Sequence, residues 1–328
     1  MYKPPFTINE NILNLSMLIS EKIEQINSVQ FLSRMPILRR NNKIKSVHSS
    51  LVIEANSFSL EETKDLINGK FVIGPINEIQ EIKNAYKVYN MFEEINCFKE
   101  EDLLKAHKEM TFMLDKESGR YRKHGEGVFN GEKLIFVAPP YKMVPKLMND
   151  LFDWLANDKT TPLLIKSCIF HYEFVFIHPF GDGNGRIARL WQNLILTKWK
   201  PVFQYIPIES QIVKYQQEYY ETIKICNKKG SSTYFIEFML NMIDKTLNEV
   251  LKDIDKNNQT IDYDINKLLS LMEVNTPYSA NELIEKLNIK TKETLRSKYL
   301  NPAIRGGFIK MTISDKPNSK NQKYIKNW

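Results

Sequence analysis

The sequence predicts a mostly α-helical protein with one small β-hairpin at its centre and a helix-rich, hairpin-ended module at its C-terminus. Three observations carry this. Apolar residues recur at three- and four-residue spacing through most of the 328 positions. The dipeptide Asn130-Gly131 sits between two short runs of strand-forming residues, a strong hairpin signal. A polar stretch from Asp253 to Tyr263 then separates a second set of helical patterns from the first.

Taken in order, Ile12, Leu15, Ile19, Ile23 and Ile26 form one helical stripe, and the first hundred residues read as helices throughout. Asn68-Gly69 and Gly74-Pro75 interrupt them, and helices follow from Glu78 to about Phe92 and from Glu101 to Leu114. Gly119-Arg120-Tyr121-Arg122 opens a segment of different character that contains the hairpin, Val128-Phe129 against Leu134-Ile135-Phe136-Val137. Ala138-Pro139-Pro140 closes it, and Pro145 to Leu155 resumes helix. Leu163 to Ile177 is apolar on most sides, with Lys166 and Glu173 as its only formal charges, as a central buried helix requires. Arg186 to about Trp199 carries an inward stripe of Ile187, Leu190, Trp191, Leu194 and Ile195. Two more helices are expected around Ser210–Cys226 and Thr233–Leu251.

Beyond the linker, Ile265–Met272 reads as a helix and Ser279-Ala280-Asn281-Glu282 as a capped helix start. Thr291 caps a third helix ending near Gly306-Gly307. Phe308–Met311 and Lys323–Ile325 form strands about a charged turn from Lys316 to Gln322. Helix–helix–helix–hairpin in this order resembles a winged helix. The expected domains are therefore an N-terminal helical region over 1–100, a core over 101–250 and the C-terminal module over 262–328.

Composition narrows the function. Of the residues, 42% are apolar and 26% charged, as in a soluble globular protein. Cys97, Cys168 and Cys226 are an odd, widely spaced set, which indicates neither a disulfide framework nor a zinc site. The N-terminus has no signal-peptide pattern, and charge interrupts every apolar stretch before it could span a bilayer. A cytoplasmic protein without membrane partners is expected. The net charge of +7 is uneven: from Lys286 onward, eleven Lys or Arg face only Glu293 and Asp315. A basic segment at one end suggests an attached module with an anionic or protein partner.

The chemistry lies in His178-Pro179-Phe180-Gly181-Asp182-Gly183-Asn184-Gly185-Arg186-Ile187-Ala188-Arg189. Glycines let backbone N–H groups approach an anion, and a following helix points its positive end at the same place. Arg186 and Arg189, three apart on that helix, share a face suited to two phosphates. Asp182 is a candidate Mg²⁺ ligand and His178 a candidate base, its ordinary pKa near 6.5 suiting proton acceptance at neutral pH. Phe180 reads as a core anchor, and His48, His107, His124 and His171 as ordinary core or surface histidines.

This segment matches the Fic-family signature, His-x-Phe-x-Asp/Glu-Gly-Asn-Gly-Arg-x-x-Arg, at every defined position, and the chain resembles that family over about residues 45–245. The resemblance implies a Fic-type helical core and a protein adenylyltransferase that moves AMP from ATP to a Ser, Thr or Tyr hydroxyl of a protein target, itself included. It assigns catalysis to His178, the metal to Asp182, and nucleotide contact to Glu54, His178, Gly183, Asn184, Gly185, Arg186, Ile187, Ala188, Arg189 and Tyr220. The hairpin, about Gly127 to Val137, then becomes a flap that pairs with the target backbone. Tyr219-Tyr220 resembles a tyrosine pair near the adenine, and homodimers are common among relatives. Gly185 stands where a phosphate-transferring branch has Lys, which favours nucleotidyl transfer.

Upstream, Ser49-Ser50-Leu51-Val52-Ile53-Glu54-Ala55-Asn56 resembles the family's inhibitory motif, Ser/Thr-x-x-x-Glu-Gly/Asn. Ser50 and Glu54 match, whereas Ala55 departs from Gly or Asn. Four residues apart on a helix, the hydroxyl and the carboxylate share a face. A carboxylate on Arg189 would occupy the γ-phosphate's place, and in some relatives the same glutamate supports removal of AMP. A competing reading makes the chain a DNA-binding regulator whose core senses nucleotide; salt-sensitive DNA binding distinguishes it.

Overall fold

The computed structural model describes residues 2–28, 35–130, 133–257, 262–317 and 319–326. The backbone divides into two compact units, Met1–Glu21 with Asn42–Leu247, and Lys22–Asn41 with Asn248–Trp328. The helices α1 (Glu10–Ser28), α2 (Pro36–Ile53) and α11 (Thr233–Asn257) each contribute residues to both.

The larger unit adds α3 (Leu60–Ile67), α4 (Ile76–Asn90) and α5 (Glu100–Met110) ahead of the hairpin β1 (Gly127–Asn130) and β2 (Lys133–Val137). The strands pair antiparallel, Gly127 opposite Val137 and Asn130 opposite Lys133, with a bulge between Val128 and Phe129. Gly131, the second residue of the expected Asn-Gly turn, lies outside the described residues. Then come α6 (Val144–Asn157), α7 (Leu163–Ile177), α8 (Asn184–Trp199), α9 (Glu209–Lys214) and α10 (Gln216–Lys229). The sequence suggested one helix over 210–226; the chain instead breaks at Tyr215, after the short α9 with its β-branched Ile212-Val213 pair.

The frame of this unit is α7 against α8. Every residue from Leu164 to Phe174 is buried, so α7 has no wet face and its two charges need partners. Lys166 Nζ donates to the carbonyls of Leu155 (2.9 Å) and Asp158. Glu173 accepts from the Tyr2 hydroxyl at 2.9 Å, which ties the N-terminal strap to the helix that ends at His178. Across the interface Trp191 is fully buried, stacks on Phe170, meets Phe152 edge-on and donates its indole N–H to Cys97 O at 3.0 Å. Among the described residues no helix is long and apolar enough to cross a membrane.

The smaller unit runs α12 (Asp262–Leu271), β3 (Pro277–Ser279), α13 (Ala280–Leu287), α14 (Lys292–Thr294), a π-helical stretch Leu295–Leu300, α15 (Asn301–Arg305), β4 (Ile309–Met311) and β5 (Lys323–Lys326). The sheet is antiparallel in the order β3-β5-β4. Strand β3 is absent from the sequence-based order, because three residues beginning with a proline are too few to show alternation. It becomes a strand by pairing Tyr278 with Tyr324. The Ser279–Glu282 capping box and the Thr291 cap form as the sequence requires. Leu268, Leu283, Leu295, Leu300 and Ala303 make this unit's own core, and the Lys326 ammonium caps α12 through Leu269 O and Met272 O.

Two stability measurements follow. Trp191→Ala should lower the unfolding free energy by about 3–5 kcal/mol in urea titrations, since it empties a core position and strands Cys97 O. Burial pushes the Glu173 carboxyl up to about 7, opposed by the Tyr2 hydrogen bond. The folded state thus holds a proton that the unfolded chain has released, and this contribution is complete below pH 4.5 and lost as pH rises through 7. Urea midpoints should fall between pH 5 and 8, and Glu173→Gln should flatten that slope.

Candidate active site

The site is assembled where α7 ends and α8 begins. His178 caps α7 in a left-handed conformation (φ 51°, ψ 60°), with its N–H on Phe174 O at 2.9 Å. Its Nδ1 lies 3.3 Å from Val175 O, an acceptor only, so Nδ1 carries the proton and Nε2 keeps a free lone pair. Burial draws its pKa below the ordinary value, while Val175 O and Glu126 pull the other way. The ring is therefore neutral and ready to accept a proton.

The loop after His178 is held from three sides. Phe180 is fully buried and stacked on His107 at 3.6 Å between ring centroids. His107 Nδ1 accepts from Gly119 N (2.9 Å), which fixes the proton on Nε2, and Nε2 then donates to Asp182 O (2.9 Å). Asn184 bridges the loop with its side chain, Oδ1 accepting from Phe180 N (2.9 Å) and Nδ2 donating to Phe180 O (2.7 Å). Arg122, 2% exposed, donates to His178 O (2.7 Å), His124 O (2.8 Å) and Pro139 O (2.6 Å). It ties the motif loop to both ends of the segment that carries the hairpin.

Gly183 is the N-cap of α8 at φ 80°, where a side chain would be strained and would press on Thr111. The helix opens at Asn184, two residues earlier than the sequence suggested, so the amides of Asn184, Gly185 and Arg186 have no partner within it. Ile187 N donates back to Gly183 O at 3.0 Å, and the side chains of Ile187 and Ala188 are fully buried. A Cβ at Gly185 would meet Glu54 Oε1, so a side chain there would displace the Glu54 carboxylate.

Arg186 and Arg189 are both buried, and each is engaged. Arg186 pairs with Asp182 and, at 3.4 Å, with Glu81 on α4. Glu81 also accepts from Asn56 Nδ2 at 2.8 Å, bridging Arg186 to the upstream motif. Arg189 Nε donates to Ser50 Oγ (3.0 Å), and Nη2 donates to Ser50 O (2.9 Å) and Glu54 Oε1 (2.7 Å). Burial acts to lower the Arg189 pKa, but Glu54, Tyr219 and Tyr89 carry it above its ordinary value. Asp182 is half-exposed, and a single carboxylate beside a phosphate cradle fits Mg²⁺, which joins protein through one or two carboxylates and takes phosphate oxygens and water for the rest.

Helix α2 stops at Ile53, so Glu54 projects from the helix end rather than lying within a helix face with Ser50. The stop is a Schellman motif: Asn56 N bonds Leu51 O (3.1 Å) and Ala55 N bonds Val52 O (3.0 Å). Ala55 occupies its left-handed position at φ 66°, which accounts for Gly or Asn at this place in the motif it resembles. Gln216 Nε2 on α10 holds Ile53 O at 3.0 Å, and the exposed Tyr220 hydroxyl lies 3.5 Å from the same oxygen. Tyr219 is buried instead, its hydroxyl 2.9 Å from His171 Nε2.

Sequence reasoning missed His107, Arg122, Glu81 and the Asn184 side chain. His107 and Arg122 act on carbonyls far away along the chain, and no spacing announces such a contact.

The end of α7 and the start of α8 thus bring a histidine, backbone amides unpartnered within the helix and two buried arginines into one stretch of a helical protein. Residues 97–196 match the Fic/DOC family, and residues 263–325 match the C-terminal domain of Fic-like proteins, filamentation induced by cAMP. A crystal structure of a Fic family protein from Desulfovibrio desulfuricans is 40% identical, with a TM-score of 0.75, over 99% of this chain and 98% of that one. The chain belongs to the Fic family.

Among named relatives, the protein adenylyltransferase fic-1 of Caenorhabditis elegans is 29% identical over 218 residues, 62% of this chain and 40% of that protein. A probable protein adenylyltransferase of Aquifex aeolicus is 34% identical over 153 residues, 45% of this chain and 46% of its own length. The chain thus spans less than half of either. The structure of fic-1 residues 134–508, 24% identical with a TM-score of 0.61, shares the fold over 76% of this chain and 73% of that one.

The strained Ala55 gives a direct check. Ala55→Gly should raise the unfolding free energy by about 1 kcal/mol, read as a higher urea midpoint, because glycine adopts the left-handed region without the Cβ clash.

Proposed function

We propose that this chain is a protein adenylyltransferase whose resting state is held by Glu54. The observation that carries the reading is the Glu54 carboxylate on Arg189, over the free amides at the start of α8. A carboxylate sits there in the manner of a terminal phosphate. In the proposed reaction the triphosphate of ATP lies on the Asn184, Gly185 and Arg186 amides, with Arg186 and Arg189 on its outer phosphates. The oxygen of a target hydroxyl attacks the α-phosphorus in line, its proton passes to His178 Nε2, and the bond to the β-phosphate oxygen breaks to release pyrophosphate. Positioning and charge neutralisation do most of the work, as in phosphoryl transfer generally. Mg²⁺ at Asp182 would supply charge neutralisation on the phosphates.

The domain boundaries of the sequence reading fit this division of labour: inhibition within 1–100, catalysis within 101–250. The hairpin 127–137 would present its edge to the target backbone, and Tyr220 would flank the base beside the end of α2. Adenylyl transfer to a protein is supported by the names of the relatives, and the hydroxyl acceptor is part of the proposal. So long as Glu54 holds Arg189, a bound triphosphate has its outer phosphate displaced and its α-phosphorus out of line.

Incubation with α-labelled ATP tests this. Glu54→Gly should raise self-labelling about tenfold or more, while His178→Ala in that background should abolish it. Transfer of the γ- rather than the α-label would overturn the reaction assigned. The rate should depend on neutral His178. Since burial lowers its pKa, activity should stay level from pH 8 to below 6.5 and fall only on further acidification.

A further inference from the structure

Three cations of the C-terminal unit line one concavity. Lys292 on α14, Arg296 one turn on in the π-helical stretch, and Lys320 in the β4–β5 turn line a cavity of about 220 Å³. All three are exposed. No carboxylate lines the cavity among the described residues. The acid beside it, Glu282, is engaged in the capping box through Ser279 N at 2.7 Å. Gln322 lines the same cavity and is only 7% exposed. Its Nε2 donates to Lys323 O at 2.6 Å, which leaves Oε1 buried with no partner among the described residues. A buried acceptor of that kind calls for a donor from outside, and a water bridging to an anion is one.

The surface around the cavity selects among polyanions. Between residues 280 and 326 the described residues expose no large apolar or aromatic side chain; Tyr299, Phe308 and Tyr324 are buried. Protein partners are held mainly by apolar and aromatic anchors, and single strands by stacking on exposed rings. Neither is offered. The exposed positions of the helix from Lys292 to Asn301 are Lys292, Glu293, Arg296, Ser297, Lys298 and Asn301, three cations against one acid, and they supply charge and hydrogen bonds only. A helix about 10–12 Å across enters the B-form major groove, about 12 Å wide, whereas the A-form groove of RNA is too narrow to admit it.

We propose that the C-terminal unit docks on double-stranded DNA, with Lys292 and Arg296 on the phosphates flanking the groove that takes the helix and Lys320 on the adjacent backbone. The inference does not rest on adenylyl transfer. The test is fluorescence anisotropy of the full chain with a labelled DNA duplex, the matching single strand and an RNA duplex, from about 50 to 200 mM salt. The DNA duplex should bind at least about tenfold more tightly than the others, with affinity falling steeply as salt rises. Lys292→Glu/Arg296→Glu/Lys320→Glu should lose about tenfold or more and flatten the salt slope by about three. Lys228→Glu/Lys229→Glu, a charge change in the other unit, should retain binding, and circular dichroism should show the triple variant folded. Equal binding of the single strand or RNA, equal loss in the control variant, or no salt-dependent duplex binding at the lowest salt would each overturn the proposal. Retention of a protein from lysate by the wild-type chain but not the triple variant, without duplex binding, would overturn it in favour of a protein partner.

Discussion

A guanidinium withdrawn from water has to be answered by acceptors, and at Arg189 that requirement organises the site. Only 2% exposed, it takes the Ser50 hydroxyl, the Ser50 carbonyl and the Glu54 carboxylate, all from the end of α2. Beneath it lies a polar layer: the Tyr219 hydroxyl meets His171, and His171 Nδ1 meets Gln192 Oε1. Burial lowers the His171 pKa to about 3, so the layer adds no second positive charge under the arginine. Glu54 itself is 36% exposed, so water screens its end of the pair, but losing it would leave the buried guanidinium short of one acceptor. On the reading proposed above, the end of α2 would stay on Arg189 until another anion, such as a phosphate, takes its place.

The loop beside Arg189 owes its shape to groups that never face the anion. Phe180 and His107 form a buried stack under it, the Asn184 side chain closes it, and Arg122 gathers carbonyls from three segments around His178. None of these contacts awaits a ligand, so on the proposed reading the amides at the start of α8 would already be set when a phosphate arrives. Electrostatic preorganisation of this kind spares the reaction a reorganisation of its surroundings.

Much of the architecture was legible because helical periodicity is a local property. The bounds of α7, Leu163 to Ile177, and the caps at Ser279 and Thr291 could be read from neighbouring residues alone. The motif from His178 to Arg189 was legible as a dense set of constrained residue types. The misses are non-local. Strand β3 exists only because β5, more than forty residues later, lies alongside it. The start of α8 at Asn184 rather than Arg186, which engages Ile187 N with Gly183 O, could likewise not be read from the motif alone. The departure at Ala55 was visible as an odd letter, but its meaning needed the backbone: it is the left-handed residue that ends α2 and aims Glu54.

Glu81 joins the two arginines' surroundings into one arrangement. Through Oε2 it holds Asn56 beyond the α2 stop, and through Oε1 it holds Arg186, while Glu54 holds Arg189. The turn is thus bolted to α8 twice, once through each arginine. With one fastening in place the other is an intramolecular contact, held at a high effective concentration. On the reading proposed above, displacing Glu54 alone would open the site, and the Glu81 fastening would keep the turn at hand for Glu54 to return when the displacing signal is withdrawn.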